Sequence, residues 1–248
     1  MINNKAIYDA ICNAKSNKKK AFALLIDPDK IDIGSIDKLV ALAQNAGTDF
    51  FLIGGSLVLN NELDELITRI KSLCDIPVIL FPGSTLQLSY KADALLLLSL
   101  ISGRNADLLI GKHVESAPFL KKSPLEIIST GYMLIDGGVP TSVSYMSNSN
   151  PIPAGKYEIA VCTAIAAEML GMKMIYMDAG SGALNPVSAS MISAVSSAID
   201  IPLIVGGGIK TAEAAHNAVS SGANIIVVGN AIEKDPSLIK ELAAAVHF

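Results

Sequence analysis

The residues of this chain that could do chemistry stand where its apolar runs stop. The run AFALLI (21–26) breaks into Asp27-Pro28-Asp29-Lys30, and DFFLI (49–53) into Gly54-Gly55-Ser56. MIYMD (174–178) carries Tyr176 and Asp178 up to Gly180-Ser181-Gly182, while two later runs end in Gly206-Gly207-Gly208 and Gly229-Asn230. A carboxylate with a hydroxyl offers hard oxygen donors. Magnesium, which keeps substrate phosphates in its shell, needs no larger protein cage than Asp27 plus Ser56. Glycine-rich turns bring backbone N–H groups to an anion, so three such clusters suit a phosphate without an arginine. Tyr176 and Asp178, two apart on a strand, share one face. There the carboxylate could take a proton from a substrate hydroxyl, and the phenol could orient it or face a developing cation. Plainer readings stand beside these: Asp29 or Asp178 as a loop cap, and Gly54-Gly55-Ser56 as a tight turn. Three glycine clusters at consecutive strand ends are harder to assign to turns alone.

The elements that must position these residues are short β-type runs alternating with helix-like segments of period 3.6. Eight runs qualify: 21–26, 49–53, 77–81, 94–99, 125–130, 174–178, 202–205 and 224–229. They are continuously apolar, as strands buried on both faces of a parallel sheet read. Helices between them carry caps at Ser35, Asn61, Asn185-Pro186 and Thr211, and stops at Gly47 and Gly222. Eight βα units predict a single TIM-barrel domain over residues 1–248, with its active site at the C-terminal strand ends. Gly55-Ser56 recurs at Gly180-Ser181, and Asp75-Ile76-Pro77 at Asp200-Ile201-Pro202, both offset by 125 residues, as two half-barrels would give. Residues 82–92 are too few for a full third helix. Residues 137–155 read as a long polar loop, a length usually kept for function.

Composition narrows the classes. The chain has 248 residues, 51% hydrophobic and 17% charged, with net charge −4 and mean hydropathy +0.47. The longest uncharged stretch, 179–199, contains Asn185, Pro186 and six serines, which is not the roughly 20-residue apolar span of a bilayer helix. The first twenty residues lack an apolar core with a cleavage site, so a cytoplasmic protein is expected. A mildly acidic chain with no Trp and no basic stripe argues against nucleic acid. The basic run from Lys15 to Lys20 reads as a solvated helix end that leaves room for a transient membrane-surface contact. Cys12, Cys74 and Cys162 read as reduced core thiols, and no histidine stands at a strand end.

Seven motifs in order, LLIDPDK (24–30), DFFLIGGS (49–56), PVILFPGS (77–84), SNSNPIP (147–153), YMDAGSGA (176–183), IPLIVGGGI (201–209) and VVGNAIE (227–233), resemble the geranylgeranylglyceryl phosphate synthase family, which includes the heptaprenylglyceryl phosphate synthases. The resemblance is strongest to the subgroup with an A-G-S-G turn after strand six. It implies an α/β fold, a modified TIM barrel lacking a full third helix. It implies magnesium-dependent transfer of a polyprenyl group, geranylgeranyl by the family's name, from its diphosphate to the 3-hydroxyl of sn-glycerol 1-phosphate. Asp27 and Ser56 would then bind magnesium. Tyr176, Met177, Asp178, Ala179, Gly180, Ser181, Gly182, Gly207, Gly208, Gly229 and Asn230 would hold glycerol phosphate, with Asp178 and Tyr176 catalytic. The family usually has glutamate where this chain has Asp178, so the charge is kept on a shorter reach. The lipid tail needs an apolar channel, for which 82–92 and nearby barrel faces are the candidates.

Two other readings keep the phosphate cup. One is an isomerase or lyase acting on a phosphorylated small molecule, for which Lys210 is the nearest lysine. The other is a binding barrel without catalysis, which leaves Asp27 with Ser56 unexplained. Exposed apolar helix faces make a homo-oligomer the expected state.

Overall fold

A continuously apolar strand is stable only in a sheet covered on both faces. The computed structural model describes residues 6–59 and 62–247, and in it the eight runs form β1 (Ala21–Ile26), β2 (Phe50–Ile53), β3 (Val78–Leu80), β4 (Ala94–Leu100), β5 (Glu126–Leu134), β6 (Met174–Asp178), β7 (Leu203–Gly206) and β8 (Ile225–Val228). Each pairs in parallel with the next, and β8 returns to β1 to close the barrel. Alternation then sorts the side chains into two cores. Ala21, Ala23, Leu96, Met174 and Tyr176 fill the barrel interior. Phe22, Leu24, Ile175 and Met177 pack outward against the helices.

Outside the barrel lie α2 (Ile36–Ala46), α3 (Leu63–Leu73), α4 (Lys112–Leu120), α6 (Tyr157–Met169), α7 (Ala189–Ser196), α8 (Ala212–Ser220) and α10 (Leu238–Val246), with the short α5 (Ser142–Ser147) and α9 (Asn230–Lys234) at the strand ends. An eleven-residue helix, α1 (Ala6–Ser16), covers the other end of the barrel. Ile11 joins the interior core, and the backbone N–H groups of Ile7 and Tyr8 donate to the buried Glu126 carboxylate at 2.9 and 3.0 Å. Two lysines of the basic run are not free in solvent. Lys15 Nζ donates to the carbonyls of Asp200 and Ile201, and Lys20 Nζ to that of Ala223, fastening α1 and its exit to the strand starts.

Several local expectations need correction. Ser35 makes no side-chain cap; its hydroxyl donates to the Asp32 carbonyl, while Asp32 accepts from Gly34 N–H. Ser188, whose Oγ accepts from Met191 N–H, takes the place expected of Asn185-Pro186 at the start of α7. The Asn61 cap lies outside the described residues. Thr211 caps α8 as expected. Residues 137–155 contain α5, opened by a reciprocal Thr141/Ser144 capping box, so the segment is partly helical. β5 runs four residues beyond the expected end. Cys162 is exposed on α6, and Cys12 and Cys74 are half-buried. Among the described residues, no helix is long and apolar enough to cross a membrane.

The shortened unit is real: no helix forms between β3 and β4. One buried side chain holds the irregular segment in place. Gln87 Oε1 accepts from Gly55 N–H at 3.2 Å and Gly83 N–H at 3.1 Å, while its Nε2 donates to the Gly55 carbonyl at 2.8 Å. These bonds tie the segment to the turn after β2. Gln87→Leu removes all three at once, and the expected cost is at least about 2 kcal/mol. Urea unfolding measures it, and a loss below about 0.5 kcal/mol, the ordinary effect of a surface change, would show that Gln87 does not anchor the segment.

Candidate active site

The β5/β6 register sets Tyr132 beside Tyr176 and Leu134 beside Asp178. Inward alternation then carries Tyr176 and Asp178 to the mouth of the barrel. Asp178 is buried, and both its oxygens are occupied: Tyr132 O–H donates to Oδ2 at 2.6 Å and Gly180 N–H to Oδ1 at 2.7 Å. Burial pushes the carboxyl above its ordinary range, while these two donors pull it back. Burial, reinforced by the Asp178 charge, drives the Tyr132 and Tyr176 hydroxyls well above the usual phenol value, so both remain neutral. The Phe81 ring stacks on Tyr176 at 5.1 Å, and Tyr132 meets Tyr176 edge-on at 5.5 Å. The result is a carboxylate able to receive a proton beside a cluster of aromatic faces.

The glycine turns crowd around it. Gly207 has φ +77°, and a Cβ there would stand 2.4 Å from Asp178 Oδ1 and 2.5 Å from Gly180 N. Only glycine lets the turn after β7 lie against the turn after β6. Ser181 Oγ donates to Asn230 Oδ1 at 3.0 Å, joining the loops after β6 and β8. The three turns therefore form one cup.

Across the mouth, Asp27 packs against the turn after β2: a Cβ on Gly55 would sit 3.3 Å from both of its oxygens. Ser56 belongs to the same turn. A carboxylate and a hydroxyl on a glycine-opened turn are hard oxygen donors of the kind magnesium takes in small number, so these residues fit that ion. Among the described residues no larger cluster of His, Cys, Asp or Glu suits a metal. Lys30 Nζ stands 3.1 Å from Asp27 Oδ2 and 3.4 Å from Glu233 Oε2. Burial works against the Lys30 charge, but the two carboxylates outweigh it and the ammonium is stabilised. Burial likewise raises the Glu233 carboxyl, with Lys30 opposing. Asp29 accepts from Leu59 N–H at 2.6 Å and so binds to the β2 loop.

A cavity of about 620 Å³ connects these groups. Asp27, Ser56, Tyr176, Asp178, Ser181, Gly207, Gly229 and Asn230 all line it. Beyond Phe81 it continues between the 82–92 segment and α4, over a wall that includes Leu88, Leu95, Leu97 and Leu120. The expected apolar channel is present beside the missing helix. His113, which the sequence gave no reason to single out, is on its wall with Nε2 3.1 Å from Ser99 Oγ.

The remaining residues expected around glycerol phosphate make contacts within the protein. The Met177 side chain is buried in the outer core, because alternation turns it away from the mouth, and Ala179 lies in the same core. The Ala179 N–H is taken by the Gly206 carbonyl and the Gly180 N–H by Asp178. Gly208 closes on the Asn185 carbonyl, and Gly182 is not on the cavity wall. Lys210 donates to the carbonyls of Ala183 and Leu184, so its ammonium serves a loop. Tyr132, Lys30 and Glu233 were missed. For Tyr132 the signal was present in the unbroken run through 131–135.

Comparison with known proteins gives a consistent picture. The profile of the PcrB family matches residues 14–246. The geranylgeranylglyceryl phosphate synthase of Chitinophaga pinensis is 60% identical over 241 residues, covering 97% of this chain and 96% of that protein. The synthase of that name from Thermococcus kodakarensis is 40% identical over 227 residues, covering 91% and 89%. Among solved structures, (S)-3-O-geranylgeranylglyceryl phosphate synthase from Thermoplasma acidophilum in complex with substrate sn-glycerol-1-phosphate superposes with TM-score 0.92 at 32% identity, covering 97% of this chain and 98% of that one.

The Asp178 environment has a titration signature. Its folded-state pKa is raised, so the native protein holds a proton that the unfolded chain releases near pH 4, roughly the free aspartate value. Its contribution to stability therefore declines as pH rises from there through the folded pKa. Tyr132→Phe removes a donor to the ionised form and is expected to move the Asp178 midpoint higher still. Carboxyl ¹³C chemical shifts followed against pH measure it, and an unchanged or lower midpoint would contradict the hydrogen bond's role.

Proposed function

The chain belongs to the PcrB family, and from that premise we propose that it is a magnesium-dependent prenyltransferase moving a polyprenyl group, geranylgeranyl by preference, from its diphosphate to the 3-hydroxyl of sn-glycerol 1-phosphate. The observation that carries this reading is one continuous cavity joining a glycine cup, a buried carboxylate, an oxygen-donor turn and an apolar channel. Each end matches one substrate. A glycerol phosphate is small and anionic and suits the cup. A prenyl tail suits the apolar channel, and the cavity as a whole, at about 620 Å³, falls within the roughly 300–1,000 Å³ of ordinary ligand pockets.

In this reading the turns after β6, β7 and β8 hold the phosphate through backbone N–H groups, and Ser181 with Asn230 fixes the loops that carry them. Tyr176 and Tyr132, both neutral, orient the glycerol beside Asp178. The Asp178 carboxylate receives the proton of the 3-hydroxyl as its oxygen bonds to the allylic carbon and the carbon–diphosphate bond breaks. Asp27 and Ser56 would hold magnesium, whose positive charge assists the leaving diphosphate. The aromatic faces of Tyr176 and Phe81 flank the position where allylic cation character develops, and the leucine-rich wall keeps out water that would hydrolyse it.

The wider expectations have physical support too. Self-association is supported by exposed apolar side chains on the outer helices, Val114 and Phe119 on α4 and Ile159 on α6. A transient membrane-surface contact fits the mouth better than the basic run. Leu57 and Leu86 in the loops there and Tyr145 on α5 are exposed, whereas Lys15 and Lys20 are engaged at the opposite end.

Purified protein with sn-glycerol 1-phosphate, magnesium and prenyl diphosphates from farnesyl to heptaprenyl is expected to yield prenylglyceryl phosphate. Asp27→Ala should abolish turnover, and Asp178→Glu should retain it, because the longer carboxylate keeps the charge. Absence of product with every donor would end this assignment, as would full activity in Asp27→Ala.

A further inference from the structure

Lys30 holds a position that pairing with Asp27 alone does not explain. Its ammonium lies between two carboxylates of different origin, Asp27 in its own loop and Glu233 on α9. A counter-ion for Asp27 would need only the first. Because β1 and β8 are neighbours in the barrel, Glu233 reaches Lys30 from the side of the glycine cup. The ammonium is thus held between the glycine cup and the pair of Asp27 and the turn after β2 that carries Ser56.

We propose that Lys30 is a ligand for the diphosphate of the prenyl donor, that it leaves Asp27 when that carboxylate takes up magnesium, and that Glu233 is the positioning residue that keeps it in the mouth. This rests on the prenyltransferase reading. A diphosphate carries several negative charges into a mouth already lined by Asp27, Asp29, Asp178 and Glu233. The backbone cup is committed to the smaller phosphate, so further positive charge must come from a side chain. Of the other cations on the cavity wall, Lys112 is bonded to both Glu115 oxygens on its own helix at 3.1 and 3.0 Å, and the His113 ring lies against Ser99. Among the described residues on the cavity wall, Lys30 is the cation that stands beside Asp27.

The residue type suits the task. A lysine carries a compact charge on a flexible four-carbon stem, so the head can change partners while the backbone stays fixed. Two positive charges on one carboxylate repel each other, which frees the ammonium from Asp27 without breaking its contact with Glu233. Arginine's planar fork would hold one carboxylate too rigidly for this exchange.

The test measures binding rather than turnover. Inorganic pyrophosphate is titrated calorimetrically, with magnesium present, into the full-length protein and its Lys30→Met, Lys30→Arg and Glu233→Gln variants, with sn-glycerol 1-phosphate titrated in parallel. Lys30→Met is expected to weaken pyrophosphate roughly tenfold to a hundredfold, the size of one charge-assisted hydrogen bond, while leaving glycerol phosphate unaffected. Lys30→Arg should recover part of the loss, and Glu233→Gln should show a smaller loss of the same selectivity. Equal pyrophosphate affinity in wild type and Lys30→Met overturns the proposal, and so does equal loss of both ligands. Tighter magnesium binding with unchanged pyrophosphate would make Lys30 a mere counter-ion of Asp27, which also overturns it. A wild type that binds pyrophosphate but transfers no prenyl group counts against the enzymatic reading instead.

Discussion

A charged carboxylate inside a barrel is tolerable only if its oxygens are met by donors, because burial removes the hydration that ionisation relies on. Asp178 imposes that requirement on the whole mouth. One donor is the Tyr132 hydroxyl, which exists at that height only because β5 runs on to Leu134 in register with β6. The other is Gly180 N–H, presented by a turn with φ +89°. Packing the next turn against the pair forbids any side chain at Gly207. Thus the glycine pattern that also suits an anion is demanded first by the need to keep one buried charge solvated by protein. Site and scaffold share a cause.

The absent third helix has the opposite character, since it removes cover rather than adding it. A barrel strand without its helix leaves an apolar outer face, and β4 exposes such a face through Leu95 and Leu97 to the cavity. Backbone groups in the irregular 81–93 segment must still find partners. Gln87 meets the Gly83 N–H of this segment and both the N–H and the carbonyl of Gly55 with one side chain, and this lets the segment border a channel without becoming regular structure. The cavity is therefore lined by leucines where most barrels of this class pack a helix.

Features governed by local pattern were readable in the sequence. All eight strands, the shortened unit, the αL stop at Gly47 and the cap at Thr211 follow from periodicity and side-chain chemistry within a few residues. Asp27, Ser56, Tyr176, Asp178 and turn glycines gather at one cavity, as barrel topology leads one to expect of strand ends. What escaped depends on competition or distance. Ser188 displaced Asn185-Pro186 because Asn185 had become part of the turn against which Gly208 packs. Met177 and Ala179, by strict alternation, turn their side chains outward into the helix-facing core. Tyr132, Lys30 and Glu233 act through partners 46, 3 and 203 positions away, and only the shortest of those separations leaves a trace in local sequence.

The charge arrangement at the mouth completes the physical picture. A site meant for anionic ligands would ordinarily be built from arginines, yet the cavity wall here carries more carboxylates than cations. The apparent mismatch resolves if positive potential comes from sources that a residue count omits. Backbone N–H groups at glycine turns supply one part, and they do so without long side chains that would fill the cup. A divalent ion on Asp27 and Ser56 would supply another, and such an ion needs the carboxylate to be there. On this account Asp27 is a place for positive charge, not an obstacle to anions. If the proposed prenyl transfer is the reaction, the acidic mouth is conditional: without a metal it would repel a diphosphate and with one it would accept it, so a lipid donor would enter only a site already equipped to ionise it.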